Sequence, residues 1–170
     1  MVKTSTQMKN MIEDWIKIVG VKYQNSTDMI KPKNQQVDWQ FVIGQGLHIT
    51  KISNRNDRIH IHYAYGFSDE IKNKLNLNGK INSVVISEVN GFLISSELHP
   101  EWVMDNNQIV GLNVNTYIDE QELTRPTFFR MWDKVIGASD HVMKIIALRL
   151  QIQSSDVTIT TNTSSKGMYQ

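Results

Sequence analysis

The sequence predicts an α+β protein: an antiparallel sheet, made of a three-strand meander and a two-strand hairpin, flanked by an N-terminal helix, a helical middle segment and a long C-terminal helix. Three observations carry that expectation. Apolar residues recur at three- and four-residue spacing near both ends of the chain. They alternate with polar residues between Val37 and Tyr65. Turn-forming residues separate these stretches. With 170 residues, 40% of them hydrophobic, the chain can bury a real core, assigned as a single domain over 1–150 with a polar Ser/Thr-rich tail over 151–170.

In the first helix, Met8, Met11, Ile12, Trp15, Ile16 and Val19 form one stripe, with Ser5 as its expected cap and Gly20 as its end. A short extended piece is expected at Val21 to Tyr23. A mobile polar loop is expected from Asn25 to Gln36, where Pro32 opposes regular structure. Val37, Trp39, Phe41 and Ile43 then mark a half-buried strand, Gly44-Gln45-Gly46 a turn, and Leu47 to Ile52 a second strand. In the third, Ile59, Ile61, Tyr63 and Tyr65 face one way and His60, His62 and Ala64 the other, which completes a meander with one apolar face.

Ser68 caps a short helix that stops near Asn78-Gly79. The stretch Ile81 to Leu98 has the β-branched content and the Asn90-Gly91 pair of a hairpin, yet Ile81, Val84, Val85, Val89, Phe92 and Leu93 fall on one helical stripe, so a helix is expected. Glu101 to Met104 and Ile109 to Ile118 form a hairpin around Asp105-Asn106-Asn107. Thr124 caps the final helix, with Pro126 in its first turn, where a missing N–H is harmless. That helix runs to about Leu150. In the tail, Val157 and Ile159 could add a brief strand.

Composition excludes several functions. With 18 Lys and Arg against 17 Asp and Glu, the net charge of +1 opposes a nucleic-acid or polybasic membrane partner. The absence of cysteine removes disulfides, thiolate nucleophiles and thiolate metal sites. The N-terminus lacks an apolar signal region and no stretch reaches the length of a membrane span, so a cytoplasmic location is expected, with no cofactor.

The final helix carries more apolar surface than one face requires. Beside the stripe Phe128, Trp132, Val135, Ile136, Val142, Met143, Ile146 and Leu150 lies a second set, Phe129, Met131, Ala138, Ile145 and Leu148. Two readings account for it: a helix sunk within one core, or a helix that also meets a second copy of the chain. The second predicts a homodimer, with Gly137, Ala138 and Ser139 permitting close approach. Trp102 either anchors the core or lines a binding groove.

The Met11-Ile12-Glu13-Asp14-Trp15 helix, the Val37 to Tyr65 meander and the Leu123-Thr124-Arg125-Pro126 entry into the last helix together resemble the type III secretion chaperone-like fold, and within it an uncharacterised family of small archaeal proteins. The resemblance spans roughly residues 6 to 150. It implies a dimer that binds other polypeptides through a sheet or helix surface, and it transfers no catalytic residue.

One constellation has the residue types of a reactive site. His60 and His62 share a strand face, and an even register adds His48, so three imidazoles could ligate one metal ion, with Asp38 as a further ligand if the first strand registers suitably. The competing reading makes them ordinary polar positions on a solvated face. Ser139-Asp140-His141 cannot form a relay, because consecutive helix positions point about 100° apart. Gly44-x-Gly46 lacks the following helix of a dinucleotide loop. Two functional readings remain. One is a non-enzymatic, dimeric polypeptide-binding protein using Phe129, Met131, Ala138, Ile145, Leu148 and Trp102. The other is a metal-dependent enzyme centred on His48, His60 and His62.

Overall fold

Thr4, rather than Ser5, starts the first helix, α1 (Ser5–Ile18). Its hydroxyl accepts from the Gln7 N–H and the Gln7 side chain accepts from the Thr4 N–H, a reciprocal capping box. Ser5 is displaced from that role because its hydroxyl donates instead to Asp38, at 2.8 Å. At the other end Gly20 takes φ of +72° and closes the helix as expected. The structure is a computed structural model that describes residues 3–30, 36–53 and 58–152, with the side chains of residues 29 and 30 left out.

The strands β1 (Tyr23–Asn25), β2 (Val37–Ile43), β3 (Leu47–Ile52), β4 (Arg58–Gly66), β5 (His99–Asp105) and β6 (Gln108–Asp119) form one antiparallel six-stranded sheet in the order β1-β2-β3-β4-β6-β5. The expected α+β class holds, and the meander and the hairpin join in a single sheet. β1 lies two residues later than the piece expected at Val21 to Tyr23. The segment expected as a loop contains a one-turn helix, α2 (Thr27–Ile30), and its residues 31–35 lie outside the described ones. The fold divides into two units: Met1–His62 with Thr116–Lys134, and Tyr63–Asn115 with Val135–Gln170.

In the first unit, Met8, Ile12 and Ile16 of α1 are buried, as are Trp39, Phe41, Ile49, Ile59, Ile61 and Phe128. Burying each such side chain contributes roughly 1.5–3 kcal/mol. Trp15 meets Phe128 with ring centroids 5.6 Å apart, and the Trp39 indole donates from Nε1 to the Ser5 carbonyl at 3.0 Å. β2 pairs with β3 through Phe41↔Ile49 and Ile43↔Leu47, with a bulge between Val37 and Trp39. That irregularity pairs Lys51 with Trp39, where Lys51 is buried. This explains why Leu47 to Ile52 alternates poorly in the sequence.

The second unit resolves the ambiguous middle segment as helix. Ser68 caps α3 (Asp69–Leu77), and Asn78 caps α4 (Gly79–Ser95) by accepting from the Lys80 and Ile81 N–H groups. Val85, Val89 and Leu93 are fully buried while Ser87 and Gly91 between them are exposed, a helical pattern, since a strand would turn all five to one face. Glu97, at φ of +54°, ends α4, and the Leu98 N–H returns to the Leu93 carbonyl. In the β5–β6 hairpin, Asn106 and Asn107 take φ of +48° and +62°, the backbone of a type I′ turn. The Asn76 side chain bridges both backbone groups of Ile109, at 3.0 Å each.

The final helix, α5 (Arg125–Leu150), starts at Thr124, whose hydroxyl accepts from the Thr127 N–H. Beyond Leu150 the chain makes one left-handed residue, Gln151, and buries Ile152, whose N–H reaches the Ala147 carbonyl at 2.9 Å. The first two residues of the expected tail therefore complete the helix end. Residues 153–170, including the strand expected at Val157 and Ile159, lie outside the described residues. Among the described residues no helix is long and apolar enough to cross a membrane.

Candidate functional site

Period-two alternation on β3 and β4 brings His48, His60 and His62 to one sheet face in the first unit, as their register predicts. The rings form a column. His48 stacks on His62 with centroids 4.7 Å apart and planes 6° from parallel; His62 stacks on His60 at 4.6 Å and 26°; and His60 stacks on Tyr117 of β6 at 4.8 Å and 14°. The His48–His62 and His60–Tyr117 separations match the spacing of neighbouring strands, whereas His60 and His62 stand two residues apart on β4, about 6.8 Å along it, so their rings lean together.

This face is not solvated, contrary to the sequence expectation. His62 is 2% exposed and His60 7%, and Gln40 and Thr50 are buried with them. At the β2 side of this face a strap is tied down: the Gln40 N–H donates to the Thr27 hydroxyl at 3.0 Å, Ser26 donates to the Gln40 side-chain oxygen at 2.9 Å, and the Gln40 amide donates to Thr50 at 2.9 Å. Alternation shows which residues share a face, not whether that face is covered.

The stack is unsuited to a shared metal ion. An imidazole lone pair lies in the ring plane, and nearly parallel planes do not meet at a point about 2.0–2.1 Å from each nitrogen. Among the described residues no group of three or more His, Asp or Glu side chains is placed to hold a metal. Asp38 does not join the histidines; it accepts from Ser5 and Ser53. Burial favours the neutral form of His48 and His62. His48 is pushed down to about 4 by desolvation, with the charge of His60 adding to it, and His62 is pushed well below the ordinary value by desolvation, then by His60 and His48. The Nδ1 atoms of His48 and His62 are buried with no hydrogen-bonding partner among the described residues.

The second apolar set on α5 separates into different environments. In the first unit Phe129 and Met131 are half-buried, Phe129 packing edge-on against Phe128 at 5.1 Å beneath the Arg125 guanidinium. In the second unit Ala138 is buried, so it offers no docking surface; Ile145 is half-buried; and Leu148 is 74% exposed. Ser139 is buried with Ala138, while Gly137 faces open space. Trp102, on β5, is half-buried and donates from Nε1 to Asn90 of α4 at 2.9 Å.

The second unit also exposes apolar residues that the sequence stripe assigned to packing. Ile81 and Val84 of α4 are at the margin of that stripe and reach solvent, as does Leu77 at the end of α3. Beside Val84, Glu88 accepts two hydrogen bonds from Arg149 of α5, at 2.6 and 2.9 Å, and Ser83 and Ser87 line a shallow groove with them. Glu88 and Arg149 stand 61 positions apart, so no local pattern in the sequence announces the pair.

No protein-family model matches the chain, and no curated protein matches it in sequence. Among solved structures it is similar to an uncharacterised protein from Methanothermobacter thermautotrophicus, with a TM-score of 0.70 and 17% identity over 84% of this chain and 99% of that one. It also matches YbjN from E. coli, described as a candidate transcription regulator, with a TM-score of 0.49 and 14% identity over 88% of this chain and 97% of that one. The first match shows that the fold is shared with an archaeal protein.

Proposed function

We propose that this protein is a non-enzymatic binding protein that acts as a homodimer and receives an extended polypeptide segment along the outer edge of β5. The observation that carries the reading is the position of β5: among the described residues it ends the sheet order, so seven residues of backbone have a neighbouring strand on one side only. Strand addition at such an edge supplies main-chain hydrogen bonds, while adjacent side chains supply selectivity. Trp102 is half-buried there and Met104 is 55% exposed, giving apolar contacts for alternate side chains of an incoming strand. Pro100 and Glu101 at the start of β5 discourage unspecific edge-to-edge pairing.

Self-association uses the helical surface of the second unit. Ile81, Val84 and Leu148 are exposed large apolar groups, and Glu88 and Arg149 beside them carry opposite charges. A two-fold interface needs a patch that complements itself, and an acid and a base within one apolar patch meet that need. In this reading the dimer contact lies at exposed Leu148 rather than at buried Ala138. Light scattering after size exclusion, with binding to an array of unstructured peptides, tests the reading. A dimer is expected, together with peptide binding that Trp102→Glu abolishes and that perturbs β5 amide signals; a monomer at micromolar concentration or binding indifferent to Trp102 refutes it.

A further inference from the structure

We propose that the His48–His62–His60–Tyr117 column is an acid-sensing clasp in the first unit: it stays closed while His48 and His62 are neutral, and in mildly acidic solution further protons on the stacked rings force them apart and free the polar face of β2 to β4. The geometry carries this. Three imidazoles in successive contact at 4.6 to 4.7 Å leave no room for solvent between the rings, so neighbouring positive charges would repel at full contact. His62, in the middle, is enclosed on both ring faces.

The charges that act on His48 and His62 raise that repulsion. Among the described residues, the charges acting on His62 are those of His60 and His48, and the charge acting on His48 is that of His60. At the β6 end stands the Tyr117 phenol. Farther along the same strands, Arg58 and Asp119 pair with each other at 2.8 Å. On β2, Asp38 accepts from Ser5 and Ser53, and Gln40 is uncharged and tied to Ser26, Thr27 and Thr50. Thr50 stands two residues from His48 on β3, so opening of the column reaches the Gln40–Thr50 hydrogen bond that ties the strap to this face.

The sign follows from proton uptake. In the closed column His48 and His62 bind protons less readily than in an open one, so opening takes up protons. The closed form is favoured above the ordinary histidine value of 6.5 and loses ground as pH falls from there towards about 4.

Hydrogen exchange of the full chain at pH 7.5 and pH 4.5, corrected for the intrinsic rate, tests the clasp, together with imidazole nitrogen NMR titration. The expected result is a loss of protection in β3 and β4 of at least roughly tenfold, the factor carried by one unit of pKa displacement. His48 and His62 should titrate below the ordinary range. A His48→Gln variant, at the rim of the column where a neutral amide is tolerated, should flatten the pH profile. His60→Gln supplies a second flattened profile if His48→Gln fails to fold. Parallel profiles in wild type and variants, or His48 and His62 titrating at the ordinary value, overturn the proposal.

Discussion

Gly111 on β6 lies against the backbone carbonyl of Tyr65 on β4, so closely that a Cβ at position 111 would stand 2.3 Å from the oxygen. The obstacle is main chain, which cannot rotate aside as a side chain would. Gly111→Ala should therefore destabilise the protein by about 2–3 kcal/mol through forced separation of the two strands. Urea unfolding monitored by tryptophan fluorescence measures it, and an unchanged midpoint would contradict the close approach.

Asn76 holds the start of β6 by accepting from the Ile109 N–H and donating to the Ile109 carbonyl, while its amide also reaches the Lys72 carbonyl at 2.7 Å. Asn76→Ala leaves two backbone groups without their partner and should lower stability by about 1–3 kcal/mol. Asn76→Asp keeps the acceptor and loses the donor, so it should retain part of that stability. Equality of the two variants in thermal melts would show that the donor half contributes nothing.

The β5–β6 turn makes a sharper test of register. Asn107 sits at φ of +62°, a conformation open to asparagine and glycine and strained for a β-branched residue. Asn107→Gly should leave stability unchanged or slightly raised, whereas Asn107→Val should lower it by about 1–2 kcal/mol. Cross-strand nuclear Overhauser contacts between Asp105 and Gln108, which face each other in the hairpin, would report any slip.

Leu148 allows association and stability to be separated. Because it is 74% exposed, Leu148→Glu should change monomer stability by no more than about 0.5 kcal/mol while it eliminates the proposed dimer. Ala138→Glu, at a buried position, should instead unfold the second unit. Analytical ultracentrifugation paired with denaturant titration distinguishes these outcomes, and a Leu148→Glu protein that dimerises as before would move the interface elsewhere.

The helices were the most legible part of the chain because their ends carry local chemistry: Ser68, Thr124 and Gly20 act within a few residues of themselves, and the Val85, Val89, Leu93 spacing decided the middle segment. β1 was displaced because three residues, Tyr23–Asn25, present too few alternations, and its pairing is set by β2. The shared face of His48, His60 and His62 followed from strand period. Tyr117 did not, since it joins them only because β6 inserts beside β4, a choice of neighbours made far along the chain. Burial of Ala138 and exposure of Leu148 likewise depend on what packs against α5, which its own periodicity does not contain.

The strand order β4-β6-β5 has a kinetic consequence. β2 to β4 closes through short connections, and β5–β6 closes through a two-residue turn, so both can form early as local hairpins. Joining them requires β6 to find β4 across the roughly forty residues that hold α3, α4 and β5, which loses chain entropy before any ladder bond is gained. Zipping of β6 onto β4 is therefore the step expected to set the folding rate, and until it occurs two unpaired strand margins would be open to other chains in a crowded solution.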